Sequence, residues 1–190
     1  MMMIRIIGIA LFAALFAACG TSTTPESTEK DSEILKKEAI ASIKDQESKL
    51  LNSVSGQIDV NQANKVVSLY IQFANNNADD ENAPEFLFKA AEVCMGISAF
   101  DRSINILKNF DRDYGNHEKA VDALYLTAFI YDNYLNQKGM AETKYRELIQ
   151  RFPRHEYAIQ AQASIKNLHM TDEELIERFE QMNKEDSLPG

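Results

Sequence analysis

The strongest constraint on this chain is an internal repeat, because a period of roughly 20–50 residues commits a sequence to stacked units before any site is considered. When Pro84–His117 is set beside Val121–His155, Leu87 aligns with Leu124, Phe88 with Tyr125, Ala91 with Ala128 and Cys94 with Tyr131, all at an offset of 37. Past a turn one residue longer in the second copy the offset is 38, and Ser103 meets Ala141, Leu107 meets Tyr145, Phe110 meets Leu148, Tyr114 meets Phe152 and Gly115 meets Pro153. Apolar residues at three- and four-residue spacing predict helices at about 84–97 and 101–113 in the first copy, and at about 120–135 and 139–151 in the second. The repeating unit is a helical hairpin. Ala91, Ala128 and Ala141 stand where its helices approach most closely, so a larger side chain there would force them apart. Phe152-Pro153 ends the second copy, since proline cannot continue a helix interior and disfavours helix in the residue before it.

The composition agrees with an all-α chain. Glycine is scarce at 7, proline at 4 and tryptophan is absent in 190 residues, so strands joined by tight turns lack their usual residues. A 45% hydrophobic content over this length supports one core of ordinary size with appendages. The net charge of −9 argues against general nucleic-acid binding, which depends on Lys and Arg displacing counterions from phosphates.

The flanks supply partial units. Val66, Tyr70 and Phe73 align at offset 37 with Ser103, Leu107 and Phe110, so a helix at about 60–76 reads as the second of an earlier hairpin, with Asp59 and Gln62 as a capping pair. A helix at about 32–54, with Leu35, Ala39, Ile43, Leu50 and Val54 along one side, is either that hairpin's first helix or a short coiled-coil arm. Tyr157–Leu168, with Ala158, Ala161, Ile165 and Leu168 inward, reads as the first helix of a further unit. Thr171 and Glu174 form a capping box for a last helix carrying Leu175, Ile176, Phe179 and Met182, whose polar outer face can end a stack in water.

The N-terminus reads as an address. Arg5 is followed by the uncharged apolar run Ile6–Ala18, which at 13 residues is short of the roughly 20 needed to cross a bilayer as a helix and fits a signal peptide over 1–18. Gly20–Asp31 is Ser/Thr-rich and holds Pro25, so residues 19–31 are expected to be a flexible tether reaching up to about 40 Å. The expected organisation is then an N-terminal helical segment at 32–58, a repeat domain at 59–184 and a tail at 185–190.

Two family resemblances follow. Leu15-Phe16-Ala17-Ala18-Cys19 resembles the lipobox of bacterial lipoproteins, with Phe16 where leucine is usual; the resemblance implies that Cys19 is lipidated and becomes the mature N-terminus. Gly20, where an aspartate would signal inner-membrane retention, implies the outer membrane. Leu124, Ala128, Tyr131, Ala141, Tyr145, Leu148 and Pro153 resemble the tetratricopeptide repeat in order, and the first copy is a degenerate version with Cys94, Ser103 and Gly115 at three of those places. That resemblance implies a short right-handed superhelical stack of hairpins whose first helices line a concave groove. The groove would be lined by Glu85, Phe88, Glu92 and Met95 from one repeat and Asp122, Tyr125, Phe129 and Asp132 from the next. Aromatics among acids suit a basic or amphipathic partner segment, if the protein's own helices do not fill the groove themselves.

Other chemistry is sparse. Cys94 aligns with an expected core tyrosine and has Glu92 and Asp101 nearby, which suits a buried thiol better than a nucleophile. His117, His155 and His169 lack the spacing of a zinc pair, and His117 and His155 share one loop position where solvent exposure is expected. Asp79-Asp80-Glu81 lacks the glycine of a calcium loop and reads as a solvated run. There is no Gly-rich phosphate loop and no Gly-x-Ser-x-Gly elbow. No catalysis, metal or cofactor is expected. The resemblance implies a lipid-anchored scaffold on the periplasmic face of the outer membrane that binds other envelope proteins. It is similar both to the repeat lipoproteins of β-barrel assembly and to the Tol-Pal-linked repeat proteins; a lipoprotein enzyme accessory or ligand-binding module is the alternative from another class.

Overall fold

Helix formers with apolar residues on one stripe, and few glycines to interrupt them, favour helix along the chain. The structure, a computed structural model, describes residues 25–51 and 58–186, and among these it contains eight helices and no strand. They are α1 (Pro25–Leu51), α2 (Val60–Asn76), α3 (Asn82–Gly96), α4 (Phe100–Tyr114), α5 (Ala120–Asn133), α6 (Lys138–Arg151), α7 (Glu156–Leu168) and α8 (Asp172–Asp186). From α2 to α7 each helix packs on the one before it, so the architecture is a stack of hairpins α1–α2, α3–α4 and α5–α6 extended by α7, with α8 following.

The repeat seen in the sequence is a repeat of backbone geometry. Within the α3–α4 turn Ser98 takes a left-handed φ of 60°, and within the α5–α6 turn Asn136, 38 residues on, takes 50°. The N–H that follows each one returns to the first helix at 2.8 Å, Ala99 to the Cys94 carbonyl and Gln137 to the Tyr131 carbonyl. Cys94 and Tyr131 are 37 apart while Ala99 and Gln137 are 38 apart, which places the extra residue of the second copy inside this turn.

The loops between hairpins repeat as well. Asp80 Oδ1 accepts from the Asn82 N–H at 2.9 Å, His117 Nδ1 from the Lys119 N–H at 3.2 Å and His155 Nδ1 from the Tyr157 N–H at 3.2 Å, so three different side chains do the same work at the starts of α3, α5 and α7. His155 is thus the half-buried N-cap of α7, and His117 a half-buried side chain bonded to the residue that precedes α5, where solvated loop residues were expected; in both an imidazole nitrogen stands in for an oxygen acceptor. Asp80 also pairs with Lys36 at 2.9 Å, so the acidic run is anchored to α1 at that residue. The hairpins are tied by side chains reaching back 36 residues, Tyr114 Oη to the Ala78 carbonyl at 3.0 Å and Arg151 to the Gly115 carbonyl at 3.0 Å.

The core runs along the stack through Val66, Phe73, Leu107, Phe110, Ile130, Tyr145 and Leu148, all buried. The close-approach positions Ala91, Ala128, Ala141 and Ser103 have no solvent exposure. Cys94 is equally buried, as the core reading required. Thr171 and Glu174 form a reciprocal capping box, whereas Asp59 caps α2 alone and Gln62 turns its amide to the Gln46 carbonyl on α1. That bond, with the hydrogen bond from Tyr70 to Glu47, lays α1 along α2 as the first helix of a hairpin.

Three expectations change. α1 begins at Pro25, so residues 25–31 are helix and not tether; proline is favoured at a first helical position, where its missing N–H costs nothing. Leu35 is 65% exposed although Ile43, further along the same stripe, is buried. Ile176 is exposed too, and α8 is tied to α7 through Arg178 on Asn167. The expected signal peptide, Cys19 and Val54 lie outside the described residues.

Candidate partner-binding face

The eight residues expected to line a groove fall on α3 and α5, the first helices of their hairpins. On α3, Glu85 is bridged to Lys89 at 3.7 Å and to Lys119, just before α5, at 3.3 Å. Phe88 is not a groove residue: it is 7% exposed, sets its ring edge-on to Phe110 at 6.0 Å and is roofed by the Lys119 ammonium 5.0 Å from its centroid. The helical period carries it to the α4 side, where it completes the hairpin core. Met95 is half-buried against the core. Glu92 is exposed.

On α5 the rings remain partly open. Tyr125 stacks on Tyr157 of α7 with centroids 4.5 Å apart and planes 16° from parallel, and Phe129 lies 6.4 Å further along at 23°. Tyr134 meets Phe129 edge-on at 5.9 Å. Tyr157 and the two lysines therefore belong to this face, and the sequence reading omitted all three. Only the α5–α7 packing brings Tyr157 here, and only the ion pairs bring Lys89 and Lys119.

Charge divides the face. Partly buried acids elsewhere have cations: Asp111 with Arg151 at 2.7 Å, Glu142 with Arg146 at 2.5 Å and Glu147 with Lys144 at 2.8 Å. Glu92, Asp122 and Asp132 form no ion pair among the described residues. Burial by the neighbouring helices pushes the Glu92 carboxyl above the ordinary carboxylate range, with Lys119 opposing and Glu85 reinforcing. Burial likewise raises Asp132, which the hydrogen bond from Tyr145 Oη at 3.3 Å offsets in part. Burial raises the Tyr125 and Tyr157 hydroxyls, helped by Asp132 beside the first and Asp122 beside the second.

Burial also raises the Cys94 thiol, the opposite of what a thiolate nucleophile needs. His169 Nε2 faces Glu142 at 2.9 Å on the surface. Among the described residues no group of three or more His, Cys, Asp and Glu side chains is placed to hold a metal ion, and no helix is long and apolar enough to cross a membrane. Comparison of the sequence with protein-family models and with curated proteins returns no match.

Proposed function

We propose that this chain is a lipid-anchored envelope scaffold of the tetratricopeptide-repeat kind, which captures a basic, partly apolar segment of another envelope protein on the inner face of α3, α5 and α7. The observation that carries this reading is the set of unpaired acids Glu92, Asp122 and Asp132 beside the half-open rings of Tyr125 and Phe129. Carboxylates without an ion-pair partner are favourable against a cationic partner, while the rings offer area that rim charges lack.

The anchor rests on the lipobox-like Leu15–Cys19. With α1 starting at Pro25, only Gly20–Thr24 would separate the lipid from the body, which holds α1 within about 20 Å of the membrane surface. α1 lying along α2 is closer to the β-barrel-assembly lipoproteins than to a protein with a free coiled-coil arm, and outer-membrane protein assembly is the process this scaffold would serve.

Two measurements test the reading. Cys19→Ala should move the protein from the membrane fraction to the soluble one, and retention without lipid would remove the anchor. Glu92→Lys with Asp122→Lys should reduce capture of crosslinked envelope partners at least tenfold and leave helicity unchanged; undiminished capture would remove the binding face.

A further inference from the structure

One cleft is left open where α5 and α7 end, between Tyr125, Phe129, Asp132, Tyr145, Asn167 and Leu175, with a volume of about 340 Å³. Ligand sites run from roughly 300 to 1,000 Å³, so this one, at the lower end, has room for a single side chain. Its walls differ in chemistry. Phe129 and Tyr125 present rings, and Asp132 presents a half-buried carboxylate whose one hydrogen bond, from Tyr145, is long at 3.3 Å. Asn167 on the far wall already accepts from Arg178, which leaves Asp132 as the free anionic acceptor. Lys138 stands on the rim beyond ion-pair distance of Asp132.

A carboxylate beside ring faces selects a planar cation. A guanidinium can donate two N–H groups to both carboxylate oxygens while its flat face lies on an aromatic ring; an ammonium offers a point charge and cannot do both. We propose that this cleft receives one arginine side chain of the partner segment, with Asp132 as its acceptor and Phe129 as its platform. The proposal rests on the reading of the inner face as the binding surface and specifies the residue that anchors there.

The test is a titration of the full chain with three forms of one basic amphipathic peptide, identical except for a central arginine, lysine or citrulline, the last keeping arginine's shape without its charge. The arginine form should bind at least threefold tighter than the lysine form and tenfold tighter than the citrulline form, with amide shifts centred on Phe129, Asp132 and Tyr145. Asp132→Asn should bring the arginine form to the citrulline level and leave the citrulline form unchanged. Lys138→Ala, an exposed change, should strengthen the arginine and lysine forms and leave the citrulline form unchanged. Equal binding of arginine and citrulline forms, or an arginine preference that survives Asp132→Asn, overturns the cleft assignment. If the peptides bind and Glu92→Gln with Asp122→Asn abolishes binding while Asp132→Asn does not, the face stands and the cleft falls. If no form binds the unaltered chain, the face itself falls.

Discussion

The hydroxyl of Ser103 donates a 2.8 Å hydrogen bond to the carbonyl of Ala91 across the α3–α4 hairpin, at the position where Ala141 faces Ala128 in the next unit. Both serine and alanine are small enough for the helices to close, and all four residues are shut off from solvent. The serine adds a bond to a carbonyl that the helix already satisfies. Ser103→Ala should therefore cost no more than about 1 kcal/mol, whereas Ala91→Leu and Ala128→Leu each insert methylenes into a closed contact and should cost roughly 1–3 kcal/mol. Urea denaturation with exposed Lys108→Leu as the control checks this, and equal midpoints for the control and the leucine variants would contradict the hairpin register.

The two left-handed turn residues respond differently to glycine. Serine at φ 60° carries a β-carbon in a region that glycine occupies freely, while asparagine tolerates it. Ser98→Gly should stabilise the chain by about 0.5–1 kcal/mol, and Asn136→Gly should change it by less, both read from thermal midpoints.

Acid titration should separate two carboxylates of opposite sign. Burial alone would raise Asp80, but the Asn82 N–H, the Lys36 ammonium and the Asn82 amide outweigh it and hold the carboxyl below its usual range. A depressed pKa gives stability that is present above the unfolded value, near 3.9, and lost as pH falls below it, so Asp80→Asn should flatten the loss of stability below about pH 4. Asp132 is raised by burial, so its ionised form opposes folding at neutral pH and protonation relieves this. Asp132→Asn should therefore stabilise the free protein at pH 7, and the gain should shrink as pH falls through the raised value.

Phe88 and Phe129 look alike in the sequence and should behave oppositely. Phe88→Ala empties a packed hairpin core and should cost about 3–5 kcal/mol, lowering partner capture only through unfolding. Phe129→Ala should cost less stability and weaken partner binding by more than about 1 kcal/mol in the folded protein. Denaturation and binding measured on the same variants distinguish the two.

That contrast marks how far the sequence could be read. Hairpin boundaries followed from the 37- and 38-residue offsets, since the close-approach residues and the helix breaker Pro153 act locally. Which side of a helix an aromatic faces depends on the neighbouring helix, and so Phe88, read like Tyr125 from the sequence, is buried against Phe110. The partner of Tyr125 was out of reach, because stacking on Tyr157 is a tertiary contact across 32 residues. Exposure of Leu35 depends on what packs against that end of α1, which no local pattern records. The loop bonds at His117 and His155 left a readable signal in their spacing of 37 and 38 residues from Asp80 onward, which only their unusual side chains concealed.

The central claim is that the partner lies on the inner face, and site-specific photocrosslinking in intact cells addresses it most directly. A photoreactive phenylalanine derivative is placed at Tyr125 on that face or at exposed Asn105 on α4, with Cys19 intact. The account predicts a discrete crosslinked protein from position 125, diminished by Glu92→Lys with Asp122→Lys, and none from position 105. Crosslinks of equal yield from both positions, or a product at 125 indifferent to the charge reversals, would contradict it.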